Sequence, residues 1–324
     1  MNTVYRQRTN ARRRATTASL GVVTAIAIAV GSAAAKASPL LGADLIAFTV
    51  LGGTTVTNVP SSAIVGNVGV WSSGGANAIT GFNSSPGVAV SDPQVTAGTV
   101  QAGTTTGSPN AMSAQLQLAT AIVNLGELGP GTLEPADLSG LTLSPGVYTV
   151  PAGSTNLSGT LTLDGNGNAN AAWVFLLPST LITSPDSMVN VINSGAGAGV
   201  YWNVGSSATF ATGTAFMGNV LALDSITLGT GATDLCGRVL AQTAAVTLQQ
   251  NSLANECTGL AADSGALSAG LSGGINVTES GSTHILPYAA VPEPGALSLL
   301  ILGLICMGFA LRTRRPKAAK IVES

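Results

Sequence analysis

The chain has 324 residues, of which 45% are hydrophobic, 8% charged and 4% aromatic, with 41 glycines and 36 threonines. An apolar fraction of this size excludes a simply disordered chain. Eleven of the twelve Lys and Arg lie in residues 1–37 and 312–320, leaving residues 38–290 one base, Arg238, against twelve acids; so few cations exclude nucleic-acid binding and disfavour phosphoryl transfer.

In chain order, residues 1–14 are polar and arginine-rich, and residues 20–30 form a compact apolar run. Ala35-Lys36-Ala37 follows as a small-x-small site of the kind signal peptidase reads, so residues 1–37 are expected to be a signal peptide cleaved after Ala37. The alternative, an N-terminal anchor, needs a longer apolar run.

Residues 39–100 alternate apolar with small or hroxylated residues between glycines, as in Ala63-Ile64-Val65-Gly66-Asn67-Val68, and predict short strands. Ser108-Pro109 then offers an N-cap and a first-turn proline. Met112, Leu116, Ala119 and Val123 repeat at helical spacing, widened by Leu118, Ile122 and Leu125, until Gly126, Gly129 and Pro130 end the pattern. A helix of about 18 residues, within about 108–127, is expected, roughly 27 Å long.

From residue 138 strand patterns resume and repeat. Thr209, Thr212 and Gly213 reappear 18 residues later as Thr227, Thr230 and Gly231, and Val220-Leu221-Ala222 recurs 19 residues on as Val239-Leu240-Ala241. Val246-Thr247-Leu248 opens a third copy, and Leu161-Thr162-Leu163, Trp173-Val174-Phe175, Leu181-Ile182-Thr183 and Val200-Tyr201-Trp202 are looser ones. Such a period marks stacked β-coils, each burying its apolar face against the next. Six coils at about 4.8 Å span about 24 Å, close to the helix length. A β-sandwich is the competing architecture, but recurrence of residue identities favours the stack. Residues 258–290 carry no pattern and are expected to be a flexible linker after a folded domain over 38–257.

Little chemistry is legible. The one histidine, His284, falls in the linker, so no Ser-His-Asp or Cys-His arrangement forms in the domain. Most acids stand singly beside turn residues, and Asp164-Gly165-Asn166-Gly167-Asn168 lacks the ligand set of a calcium loop and predicts a β-turn. Gly195-Ala196-Gly197-Ala198-Gly199 precedes neither a helix nor a lysine. No enzyme, metal site or cofactor is expected. Cys236 and Cys257 are the only cysteines of the domain; in an oxidising compartment they can pair, and two buried thiols are the alternative. Thirty threonines lie within residues 38–290. Stacked on a flat face they make a stiff, uncharged surface able to order water; the blander explanation is that threonine favours strands.

The C-terminal residues 291–324 begin Val291-Pro292-Glu293-Pro294, continue through an apolar stretch over 295–311 and end in Arg312, Arg314 and Arg315. Seventeen residues of helix reach about 25 Å, just under a bilayer core. Pro292, Glu293, Pro294 and the arginine cluster resemble the PEP-CTERM sorting signal, which implies a membrane-spanning segment, processing by an exosortase-type enzyme and delivery to the cell surface or its exopolymer matrix. A plain anchor is the alternative; either places the domain outside the cytoplasm.

Several stretches resemble the secreted bacterial and fungal ice-binding proteins of the β-solenoid type. These are residues 41–58, Ile64-Val65-Gly66-Asn67-Val68-Gly69-Val70, Thr80-Gly81-Phe82, residues 137–148, 159–164 and 173–175, residues 201–209, Gly213-Thr214, residues 218–222 and 237–241, and Val246-Thr247-Leu248. They span about 40–255 in the family's order. The resemblance implies a mainly β fold, a right-handed β-solenoid of triangular cross-section with one long helix alongside. It also implies a flat ice-binding face of Thr-(Ala/Gly)-x-(Thr/Asn) segments. Thr230-Gly231-Ala232-Thr233 fits that pattern fully and Thr212-Gly213-Thr214-Ala215 in part, whereas Ser184-Pro185-Asp186-Ser187 and Gln250-Asn251-Ser252 depart from it. The candidate face is therefore Thr212, Thr214, Thr230, Thr233, Ser184, Ser187 and Asn251, with ice or ordered water as partner and Asp186 weakening it. A matrix or adhesion protein on the same scaffold, with exopolysaccharide as partner, is the second functional expectation.

Overall fold

In the computed structural model, residues 38–72, 78–151, 153–257 and 270–289 are described. The expected signal peptide, the sorting signal with its expected membrane span, and part of the expected linker lie outside them. The fold is mainly β with one α-helix among the described residues. Three ladders of parallel strands share one apolar core, and each round of chain adds one strand to each ladder. The first ladder includes Ala172–Leu177, Gly199–Val204, Phe48–Gly52 and Asn67–Val70. The second runs through Thr155–Leu157, Leu181–Thr183, Ala208–Phe210, Ile226–Leu228, Val246–Gln249, Val56–Val59 and Ile79–Thr80. The third includes Thr160–Asn168, Met188–Ser194, Ser252–Ala254 and Ala63–Val65.

The repeats seen in the sequence are the registers of these ladders: Thr209 pairs with Thr227, Val220 with Val239, and Thr227 with Thr247. Inside, Tyr148, Phe175 and Trp202 stack ring on ring from one rung to the next, and Phe216 meets Trp202 tilted by 48°. The order of rungs is not the order of the chain. The rung formed by residues 48–65 lies between the last one, 237–254, and the one at 67–96. The chain thus starts inside the stack, builds outward, returns through the helix and closes back on its own beginning.

Arg238 fastens that seam. Its buried guanidinium donates to the Ile46 carbonyl at 2.9 Å, to Asn219 Oδ1 at 2.7 Å and to the Gly270 carbonyl at 3.1 Å. Burial lowers its pKa to about 10 and raises that of the neighbouring buried Asp234. Cys236 and Cys257 are joined in a disulfide, which ties the last rung to the chain beyond it.

The helix spans Ala111–Gly126 and is capped by Asn110, whose side chain accepts from Ser113 N at 2.9 Å. Ser108 does not cap it; its hydroxyl donates to Asp44 Oδ1 at 2.7 Å. The buried stripe is Ala111, Ala114, Leu118, Ala121 and Leu125, so small side chains let the helix approach the first ladder closely. Leu116 and Val123, expected to be buried, are 62% and 61% exposed. Gln115 Nε2 fixes the docking by donating to the carbonyls of Ala241 and Gln242 at 3.0 and 2.6 Å.

Residues 270–289 are folded, which corrects their assignment to a linker. Ile275–Val277 pairs antiparallel with Ser38–Pro39 on one side and Thr283–Ile285, which carries His284, on the other. Leu271 and Ile275 are buried.

Candidate functional site

Alternation along the second ladder decides what that side shows. In Ala208-Thr209-Phe210, Ile226-Thr227-Leu228 and Val246-Thr247-Leu248 the outer residues of each triplet are buried and the central threonine faces out. Register then lines up Thr209, Thr227, Thr247, Thr57 and Thr80 on five successive rungs, at about 4.8 Å per step. Thr57, Thr80 and Thr209 are exposed, and Thr227 and Thr247 half-buried between their neighbours. Two residues earlier on the five rungs stand Ser207, Ser225, Ala245, Thr55 and Ala78, with the Ser207 and Ser225 hydroxyls 3.0 Å apart. The row therefore joins β-branched side chains held stiff in χ1 to short hydroxyls and alanine methyls, with no charge among them. On the two remaining rungs, Ile182 and Asn156 replace threonine.

Thr212 and Thr230 sit on neighbouring turns at the edge of this row, both exposed. Their turns stack through Gly213 N donating to the Thr230 carbonyl and Asp186 N to the Thr212 carbonyl, each at 3.1 Å. The turns need one left-handed residue per rung. Gly213 and Gly231 supply it at φ 71° and 70°, and Asp186 and Gln250 take the same position at φ 58° and 54°.

The residue that follows the left-handed one points the other way. Thr214, Ser187 and Asn251, expected on the face, are buried. Thr214 Oγ1 lies 2.7 Å from Thr183 Oγ1, and Asn251 Nδ2 donates to the carbonyls of Gly229 and Ala232 at 2.9 Å each. They satisfy the turn's own polar groups, which are cut off from water and costly to leave unpaired. Ser184 is half-buried in its turn, and Thr233 lies half-buried on the third ladder, in register with Ala215 and Ser252. The structure thus brings Thr212 and Thr230 together and separates them from the rest of the motif. Thr57, Thr80, Thr209, Thr227 and Thr247 were not singled out from the sequence as site residues; the apolar-Thr-apolar triplet was the signal for most of them.

Among the described residues no group of three or more His, Cys, Asp or Glu is placed to hold a metal ion, and no helix is long and apolar enough to cross a membrane. Asp164 Oδ1 accepts from Asn166 N and Asn193 Nδ2, each at 2.9 Å. The segment Asp164–Asn168, expected to be a β-turn, instead ends the strand Thr160–Asn168, with the register to its neighbour shifting between Asp164 and Asn168.

Residues 50–254 match the family model described as ice-binding-like, and residues 290–315 match the PEP-CTERM protein-sorting motif. An ice-binding protein of Nostoc sp. (strain HG1) is 41% identical over 269 residues, covering 82% of this chain and 84% of that protein. One from Leucosporidium sp. (strain AY30) is 35% identical over 204 residues, covering 60% of this chain and 76% of that one. Among solved structures, an ice-binding protein from Arctic yeast superposes with a TM-score of 0.59 at 30% identity, covering 67% of this chain and 93% of that one. A single matched segment thus takes in the three ladders, the returning helix and the outward threonines together, and the chain belongs to the ice-binding-like family.

Proposed function

We propose that the protein binds ice through the outward side of its second ladder. The observation that carries this reading is the register of Thr57, Thr80, Thr209, Thr227 and Thr247. A crystal surface presents water at fixed intervals in two dimensions. A parallel stack fixes one interval between rungs and the pleat fixes the other along each strand. Threonine suits such a lattice: its methyl excludes loose water, its hydroxyl anchors a neighbour, and χ1 is already frozen, so little entropy is lost on contact. A lysine or carboxylate would instead hold its own hydration shell. Thr212 and Thr230 extend the surface at its edge, and Ile182, Asn156 and Asp186 limit it, which favours slowing of ice recrystallisation over strong depression of freezing.

The three ladders around one core support a right-handed β-solenoid of triangular section, the hand that parallel crossovers adopt. The folded domain then covers 38–257 with the added cap 270–289. The action is adsorption, without catalysis. Signal peptidase and an exosortase-type enzyme process the two ends, and the sorted protein meets exopolysaccharide at the surface. The test is coarsening of polycrystalline ice with the purified domain at micromolar concentration. Arrest of grain growth is expected; coarsening at the rate of a buffer control rejects the reading.

A further inference from the structure

The two ends of the folded domain leave from one side of it, and the threonine row lies on the other. Each rung passes from the first ladder to the second, then the third, and returns to the first through connections such as residues 195–198. Because all three ladders line one core, that return connection lies across the rung from the second ladder. The chain after the disulfide docks there. Ser272 bridges to Gly199, and Tyr201 Oη donates to the Gly273 carbonyl at 2.8 Å. A Cβ on Gly199 would come within 1.9 Å of the Gly273 oxygen, so the contact requires glycine.

The docking continues to the last described residue. Asn170 Nδ2 donates to the Pro287 carbonyl at 3.2 Å, Tyr288 Oη to the Gly167 carbonyl at 3.2 Å, and Ala289 N to Asn168 Oδ1 at 3.0 Å. Gly167 and Asn168 end the third-ladder strand Thr160–Asn168, and Asn170 lies in the return connection that leads from it to Ala172–Leu177. Ser38–Pro39, at the other end of the domain, pairs with Ile275–Val277 in the same cap. Along the stack the row starts one rung past Ile182 and runs away from this exit. The rungs nearest this exit carry Asn156 and Ile182, and the threonines occupy the five rungs beyond.

We infer that, for as long as its C-terminal signal holds the chain at a membrane, the exit corner faces the lipid and the threonine row faces away from the cell. Only residues 290–294 separate Ala289 from the apolar stretch, and five residues reach at most about 18 Å. A stack of seven rungs is about 29 Å long, so the tether is shorter than the domain and keeps the exit corner beside the lipid. This rests on the reading of the row as the ice-contacting surface: tethering then leaves that surface free.

The test uses the full chain with Cys306→Ser, inserted in phosphatidylcholine vesicles that carry a headgroup quencher. A fluorophore is placed either at Ala196→Cys, an exposed position on the return connection, or at Thr209→Cys. Quenching several-fold stronger at position 196 than at 209 is expected, and Thr57→Cys should repeat the weak result. Equal quenching at all three, or stronger quenching at 209 and 57, overturns the orientation. Quenching does not depend on ice, so a protein that shows the asymmetry yet leaves ice growth unchanged refutes the ice reading and upholds this one.

Discussion

The outward sides of the first and second ladders are built from the same rungs and differ in one row. On the first, Asn203, Leu221, Leu240 and Leu51 stand in register and are covered by the helix. On the second, the corresponding row is threonine and reaches solvent. A parallel stack repeats whatever it is given, so a row of leucines demands a cover and a row of threonines does without one. The strands alone specify neither. The outward residue, one per rung, decides which side becomes core and which becomes surface.

Substitutions can break this contrast at graded cost. The largest effect is expected at Arg238, which joins the first-ladder side to the chain's beginning and end. Arg238→Ala takes the guanidinium donor from Asn219 Oδ1 and the Gly270 carbonyl and the neighbouring positive charge from buried Asp234, and a loss of about 3–5 kcal/mol should appear in urea unfolding. Leu240→Thr puts a second-ladder residue under the helix, where a lost methyl and an unpaired hydroxyl should together cost about 2–3 kcal/mol by the same measurement. Thr214→Val removes the buried hydroxyl that meets Thr183. It should cost about 1 kcal/mol and leave ice recrystallisation untouched, which separates the buried motif position from the exposed ones. Leu116→Gln on the helix's open face should shift stability by less than about 0.5 kcal/mol, in contrast to Leu118→Ala, for which about 3 kcal/mol is expected.

The coil period was legible because stacking forces equivalent positions to be chemically alike, as Val220-Leu221-Ala222 and Val239-Leu240-Ala241 show. Other features were hidden for physical reasons. Insertion of the 48–65 rung beside the 237–254 rung is a pairing between distant segments, and a local period does not record it. The helix's buried stripe is largely alanine, a weak apolar signal beside the large but exposed Leu116 and Val123. The four-residue threonine motif spans a turn, where the chain direction changes and alternate residues no longer share a side. That is why Thr212 and Thr214, two residues apart in one segment, end outside and inside. Residues 270–289 resembled a linker because only Leu271 and Ile275 anchor them in the core, and the rest of their packing uses glycine and backbone carbonyls.

The central claim is that the threonine row, rather than composition in general, contacts ice. Partition of the domain into a slowly growing ice hemisphere tests it directly, with Thr227→Lys compared against the parent. The parent should be enriched in the ice, and the variant, equally stable to urea, should remain in the liquid. Retention of the variant in ice at the parent's level would contradict the account.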